Sequence, residues 1–203
     1  MKIAIISGSH RKEGQSAKVA RYLQHVVTMQ CASDTTYLFS LANNPLPLWD
    51  EGVWAQAAQW KTLWGPIAQE LRSADAVVVV SPEWSGMVPA GLKNFFLFCT
   101  PQELGNKPGL IVTVSASRGG AYPVNELRTS SYKNCAFCYI PEHVIVRQVG
   151  DMLNDPTTPA SPDDEYIRAR LGYAVQMLRS YGEALRHVRE SGIPDYQTYP
   201  YGM

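Results

Sequence analysis

Asp75-Ala76-Val77-Val78-Val79-Val80-Ser81 is the stretch on which the fold turns. It does not alternate polar with apolar residues. A continuous β-branched run of strand length implies burial on both faces, as in the middle of a parallel sheet. Leu110-Ile111-Val112-Thr113-Val114-Ser115 is a second run of the same kind. Further strands are predicted over 2–7, 35–41 and 143–149. Helical spacing separates them: 16–31, with Val19, Leu23, Val26 and Val27 on one face, then 54–73, 89–100 and 122–134. Gly65-Pro66 is expected to break or kink the second of these. The final helix is predicted over 162–190, with Ser161 as N-cap, Pro162 in the first helical position and Asp164 at capping-box spacing. Gly192 and Pro194 stop it.

Five strands alternating with five helices imply an α/β, doubly wound, five-stranded parallel sheet with helices on both faces and right-handed crossovers. The 203 residues, 45% of them hydrophobic, suffice for one core. Residues 1–194 are read as one domain and 195–203 as a Tyr-rich tail. Eighteen cations balance eighteen anions, which is not the basic footprint of a nucleic-acid binder. No apolar run approaches the roughly 18–20 residues of a membrane span. The N-terminus reads as a strand and not as a signal peptide, so a cytoplasmic protein is expected. Cys135 and Cys138 have C-x-x-C spacing, but zinc needs about four ligands. There is no second pair and His143 is the one nearby candidate, so the four cysteines are read as buried thiols and no metal is expected.

Ligands of such sheets bind beyond the carboxyl ends of the strands. Three loops therefore matter. The first, Ser7-Gly8-Ser9-His10-Arg11-Lys12-Glu13-Gly14-Gln15-Ser16, ends where a helix begins, and free N–H groups with the helix dipole attract an anion there. The alternative is a plain polar turn. Five residues separate Gly8 from Gly14 and Gln15 follows, so the triphosphate loop pattern fails; G-x-G-x-x-G fails as well, and a single terminal phosphate suits the loop better. His10 is read as a loop residue. The second loop, Ser81 to Pro89, sets Trp84 and a Gly between two prolines, which suits the edge of a planar ring or else a cap on the core. Glu83 is open to an ordinary ion pair. The third, Ser115 to Tyr122, is small and Gly-rich and allows a flat ligand to approach the backbone.

These residues resemble the NAD(P)H-dependent FMN reductases of flavodoxin-like fold. Gly8, Ser9, Arg11 and Ser16 are similar to that family's phosphate region. Pro82-Glu83-Trp84-Ser85-Gly86-Met87-Val88-Pro89-Ala90-Gly91-Leu92-Lys93-Asn94 resembles its P-E-Y-N-x-x-x-P-x-x-L-K-N signature. The resemblance runs over about residues 1–150 and implies strand order 2-1-3-4-5. It implies that Ser9, Arg11, Gln15 and Ser16 hold the FMN phosphate. Pro82, Glu83, Trp84, Ser85, Gly86 and Met87 would contact the ring system and ribityl chain, and Ser115, Ser117, Gly119 and Gly120 would close the other side. Trp84 stands for the family's Tyr, Ser85 for its Asn, and Leu97 for a frequent Asp. The implied activity is hydride transfer from NADPH or NADH to FMN, followed by two-electron reduction of a quinone-like small-molecule acceptor, with no catalytic side chain. Two rivals are a flavodoxin-like electron carrier and a partner-binding protein without FMN; a phospho-receiver is disfavoured because Ser81 stands where it needs an acid. Phe95-Phe96-Leu97-Phe98 makes its helix apolar all round. A homodimer, or a homotetramer, is therefore expected, with the Tyr-rich tail as a lid over a shared site.

Overall fold

The computed structural model describes residues 1–201; Gly202 and Met203, assigned above to the tail, lie outside the described residues. All seven residues of strand β3 (Ala76–Pro82) and of β4 (Pro108–Val114) are buried, as their unbroken apolar runs require. With β1 (Lys2–Ser7), β2 (Thr35–Ser40) and β5 (Cys138–Val146) they form one parallel sheet in the order β2-β1-β3-β4-β5. Order reverses beside β1, which puts the switch-point crevice at the carboxyl ends of β1 and β3.

Alternation along the strands divides the core in two. Ile3, Ile5, Val78, Val80, Leu110 and Val112 face helices α1 (Gln15–Gln30) and α7 (Pro162–Glu190). Ala4, Ile6, Val77, Val79 and Ile111 face α2 (Ala58–Leu63), α3 (Gly65–Ser73), α4 (Ala90–Phe98), α5 (Pro101–Leu104) and α6 (Ala121–Thr129).

The described residues thus hold seven helices, not five. The helix expected over 54–73 starts only at Ala58, because residues 51–56 are wound into turns that end with Gln56 at φ 54°. It divides at Trp64, and Pro66 sits in the first turn of α3, where its missing N–H costs nothing. The helix expected over 122–134 stops at Thr129. The last strand runs over 138–146, not 143–149. The apolar stretch of α4 is mostly covered within its own chain: Phe95, Phe96 and Phe98 are buried, and of these four residues only Leu97 is exposed, at 63%. Cys99 and Cys135 are buried, whereas Cys31 and Cys138 are half-buried, so two of the four expected thiols are not core residues. The Tyr196 hydroxyl pairs with the Asn106 side chain at the amino end of β4. Within one chain Tyr196 therefore ties the described part of the tail to the amino end of the sheet, opposite the three loops.

Long-range carboxylates tie these layers. Asp34 accepts the Met1 ammonium at 2.9 Å and Arg179 at 2.7 Å. Asp75 accepts the Lys2 N–H and Arg186. Burial pushes both carboxyls up, but these partners together outweigh it and hold them below the usual range. Depressed carboxyls give stability that is complete above the unfolded pKa, near about 4, and is lost as pH falls through the lower folded values. Melting temperature should therefore hold level above about pH 5 and drop steeply below about pH 4. In Asp34→Asn that acid limb should be shallower, measured by thermal melts across pH; an identical limb would remove Asp34 from the account.

Candidate functional site

The crevice at the carboxyl ends of β1, β3 and β4 brings all three loops together. Gly8 begins the first. A Cβ there would lie 2.6 Å from Leu92 Cδ2 and 2.8 Å from the Val80 carbonyl, so only glycine lets β1 leave the sheet against α4. The loop delivers the chain to α1 with Gly14 as N-cap, no side-chain cap and no acid in the first turn. The N-terminal N–H groups and the positive end of the helix dipole are thus left for another partner. Ser9 and Ser16 are buried, while Arg11 and Gln15 are exposed at the loop's rim.

Among the described residues five buried side-chain polar atoms lack a hydrogen-bond partner, and three of them belong to this corner: Ser7 Oγ, His10 Nδ1 and Ser16 Oγ. Buried polar groups are rarely left unpaired, and each such group costs about 1–3 kcal/mol. Ser16 Oγ at the uncapped start of α1 and Ser7 Oγ at the end of β1 are thus free hydroxyls suited to an anion, whereas His10 Nδ1 lies against Gly91 of α4. The phosphate of FMN fits this corner: hydroxyls below, backbone N–H groups at the helix end, and the Arg11 cation at the rim.

In the second loop Pro82 ends β3 in the core, and Trp84 and Met87 exchange backbone hydrogen bonds of 3.0 and 2.9 Å across Ser85-Gly86. Ser85 (φ 50°) and Gly86 (φ 73°) form a turn of the type I′ kind, where Asn-Gly is favoured; Ser at 85 accepts some strain. The half-buried Trp84 ring meets His10 edge-on, with ring centroids 4.3 Å apart, so the first two loops touch. In the third loop Ser115 is buried and its hydroxyl accepts the Ser117 N–H at 3.2 Å. Gly120, at φ 105°, starts α6, and a Cβ there would collide with Ile145.

Two carboxylates bind the second and third loops reciprocally. Glu83, on the second, accepts the Gly120 N–H of the third at 2.6 Å. Glu126, on α6 behind the third, accepts the Val88 N–H of the second at 2.6 Å and pairs with Lys93. Burial raises the Glu126 carboxyl, but Lys93 and the Val88 N–H bring it below the usual range. Arg147 on the sheet edge holds the Arg118 and Gly119 carbonyls. The Glu83 carboxylate is therefore committed to a neighbouring loop and not to an ion pair. Glu126 and Arg147 were missed in the sequence, where nothing local marks them.

The Leu92-Lys93-Asn94 triplet also acquires a physical meaning. Leu92 backs Gly8, Lys93 holds Glu126, and Asn94 accepts the Trp49 N–H and donates to the Pro47 carbonyl, both at 2.8 Å. One helical turn thus fixes three surrounding loops. Glu126→Ala should lower stability by about 1–3 kcal/mol and speed hydrogen exchange at the Val88 amide, with Glu126→Gln in between. Exchange at Val88 as slow as in the parent protein would contradict the clamp.

Fold and site together define a flavodoxin-like α/β protein whose first loop ends at an uncapped helix N-terminus beside the switch point. The chain belongs to the NADPH-dependent FMN reductase family, whose model matches residues 1–151. A quinone reductase of Pseudomonas putida is 32% identical over 127 residues, 61% of this chain and 64% of that protein. This chain therefore aligns with less than two thirds of that relative's length. An NADPH azoreductase of Bacillus sp. strain OY1-2 is 28% identical over 155 residues, 72% of this chain and 76% of that protein. The flavoenzyme NAD(P)H:(acceptor) oxidoreductase FerB of Paracoccus denitrificans superposes with a TM-score of 0.68 at 18% identity, over 89% of this chain and 98% of its own. That likeness concerns the fold, and it agrees with the strand order expected above.

Proposed function

We propose that the protein is an FMN-dependent NAD(P)H oxidoreductase that passes two electrons from NADPH or NADH to a quinone-like or other small acceptor. The observation that carries this reading is the pair of unpartnered buried hydroxyls, Ser7 at the end of β1 and Ser16 at the uncapped start of α1. Ser9, Arg11, Gln15 and Ser16 bind the phosphate; Pro82 to Met87, with Ser115, Ser117, Gly119 and Gly120, enclose the ring and its chain. Bound FMN supplies hydride acceptance from nicotinamide and onward two-electron transfer. The protein's own part is to hold three loops in register and to line the crevice with backbone N–H and C=O groups. No side chain there is asked to act as nucleophile or base.

The FMN-binding unit spans 1–194, with 195–203 as an appended tail. We place the protein in the cytoplasm, a reading supported by four free cysteines. No helix among the described residues is long and apolar enough to cross a membrane. Exposed Leu48, Trp54 and Leu97 on the α4 flank support assembly as a homodimer or homotetramer, which sedimentation of the purified protein tests. The deciding experiment for the activity is a visible spectrum of the purified protein, then NADH and NADPH oxidation with added FMN and a quinone. Flavin absorbance and acceptor-dependent oxidation are expected. A colourless protein that stays colourless with excess FMN would end the reading.

A further inference from the structure

The amino-end edge of the sheet, opposite the three loops, carries a cavity of about 440 Å³ walled by Arg72, Lys107, Arg186 and Arg189, with Asp75 and Glu190 as the carboxylates on its lining. Its charges are not balanced pair by pair. Arg72 has Glu103 at 2.7 Å. Arg186 and Arg189 share the single carboxylate of Asp75, at 3.0 and 3.7 Å. Lys107 is only 4% exposed, and its ammonium donates to the Leu71 and Arg72 carbonyls at 2.6 and 2.9 Å. Both carbonyls belong to the last turn of α3, and that of Leu71 also accepts the Ala74 N–H. Among the described residues no carboxylate is in ion-pair contact with Lys107. Burial pushes this ammonium down to about 8.

Asp75 and Glu103 act on Lys107 only from beyond contact distance and are themselves engaged by arginines, so an anion in the adjoining cavity lowers the cost of burying this cation. Guanidinium forks match oxyanions bidentately, and a phosphate, with more acceptor oxygens and more charge than a monocarboxylate, can engage two guanidinium groups and an ammonium together. The facing wall is formed by Pro101, Pro194 and Tyr196, surfaces that accept an organic body. A volume of this size exceeds a lone phosphate and lies within the range of small-molecule sites. We propose that this cavity binds a small phosphorylated compound, its phosphate on Lys107, Arg186 and Arg189 and its carbon skeleton against Pro101, Pro194 and Tyr196. The site is separate from the flavin crevice and does not depend on the flavin reading.

The test uses inorganic phosphate as probe, at constant ionic strength, on full-length protein saturated with FMN. Melting temperature should rise saturably, by about 3–5 °C at phosphate tenfold above its Kd. The rise should persist in Arg11→Ala/Ser16→Ala, which lacks the first loop's anion donors, and should vanish in Lys107→Met. Since Lys107→Met risks misfolding, Arg186→Gln/Arg189→Gln serves as the second variant, with a Kd raised at least tenfold. No saturable rise in the parent overturns the proposal. So does a rise that survives in the Arg186/Arg189 variant, or one that disappears with the first-loop donors, since phosphate is then bound elsewhere.

Discussion

Asp164→Ala should lower the unfolding free energy by about 3–5 kcal/mol, the loss seen when one partner of a buried ion pair is removed. Asp164 is fully buried. Its carboxylate accepts the Leu153 N–H at 2.8 Å, the Ala160 N–H at 2.9 Å and the Arg168 guanidinium at 3.1 Å. Burial raises this carboxyl, but the two N–H groups and Arg168 bring it below the usual range. The substitution leaves two backbone donors unpaired and takes the counter-charge from a nearly buried guanidinium that keeps the Asp155 and Pro156 carbonyls. At about 2–4 °C per kcal/mol, melting should fall by roughly 6–20 °C. Asp164→Asn keeps an acceptor and should lose distinctly less. The consequence reaches the crevice, because Lys18 on α1 donates to the Val149 carbonyl and to Asn154 in the segment that Asp164 folds. A melt within 2 °C of the parent would mean that this segment contributes nothing to the global transition.

Asp164 also shows where sequence reading succeeds and where it stops. The limits of α7, 162–190, follow from Ser161 and Pro162 at its start and Gly192 and Pro194 beyond its end, and the structure returns them unchanged, because caps are local chemistry. Ser161 does accept the Asp164 N–H, at 3.1 Å. The reciprocal half of the box is absent, since the carboxylate serves distant backbone groups instead. The central strands β3 and β4 were legible for a similar reason: burial on both faces leaves no room for polar residues. β5 was not, because an edge strand is half-exposed, and Pro141 and Glu142 interrupt its apolar run. The short α5 carried a readable signal, Thr100-Pro101-Gln102-Glu103, and forms a complete capping box. At the site, the loops could be found from where strands end. The Glu83–Gly120 and Glu126–Val88 ties could not, since they join residues 37 and 38 positions apart that meet only after the sheet has ordered.

The first loop yields the other large effect, and its sign differs between free and bound protein. Ser16 Oγ is buried at the start of α1 with no partner. Without ligand that hydroxyl is a liability, so Ser16→Ala should leave the free protein as stable or raise its stability by up to about 1 kcal/mol. Toward FMN, in the binding mode proposed above, the same change should remove a hydrogen bond to a charged phosphate, at a cost of about 1.5–3 kcal/mol. Arg11→Ala removes a second interaction of similar size from the exposed rim. Together they should weaken FMN binding by about 10²- to 10⁴-fold, less if the two donors act as a unit. Flavin titration by fluorescence measures the affinity, and thermal melts with and without FMN separate the two terms. A purely structural Ser16 would lower both melts and spare the affinity. A serine kept for an anion gives the opposite pattern: a free protein as stable as before that no longer holds its flavin.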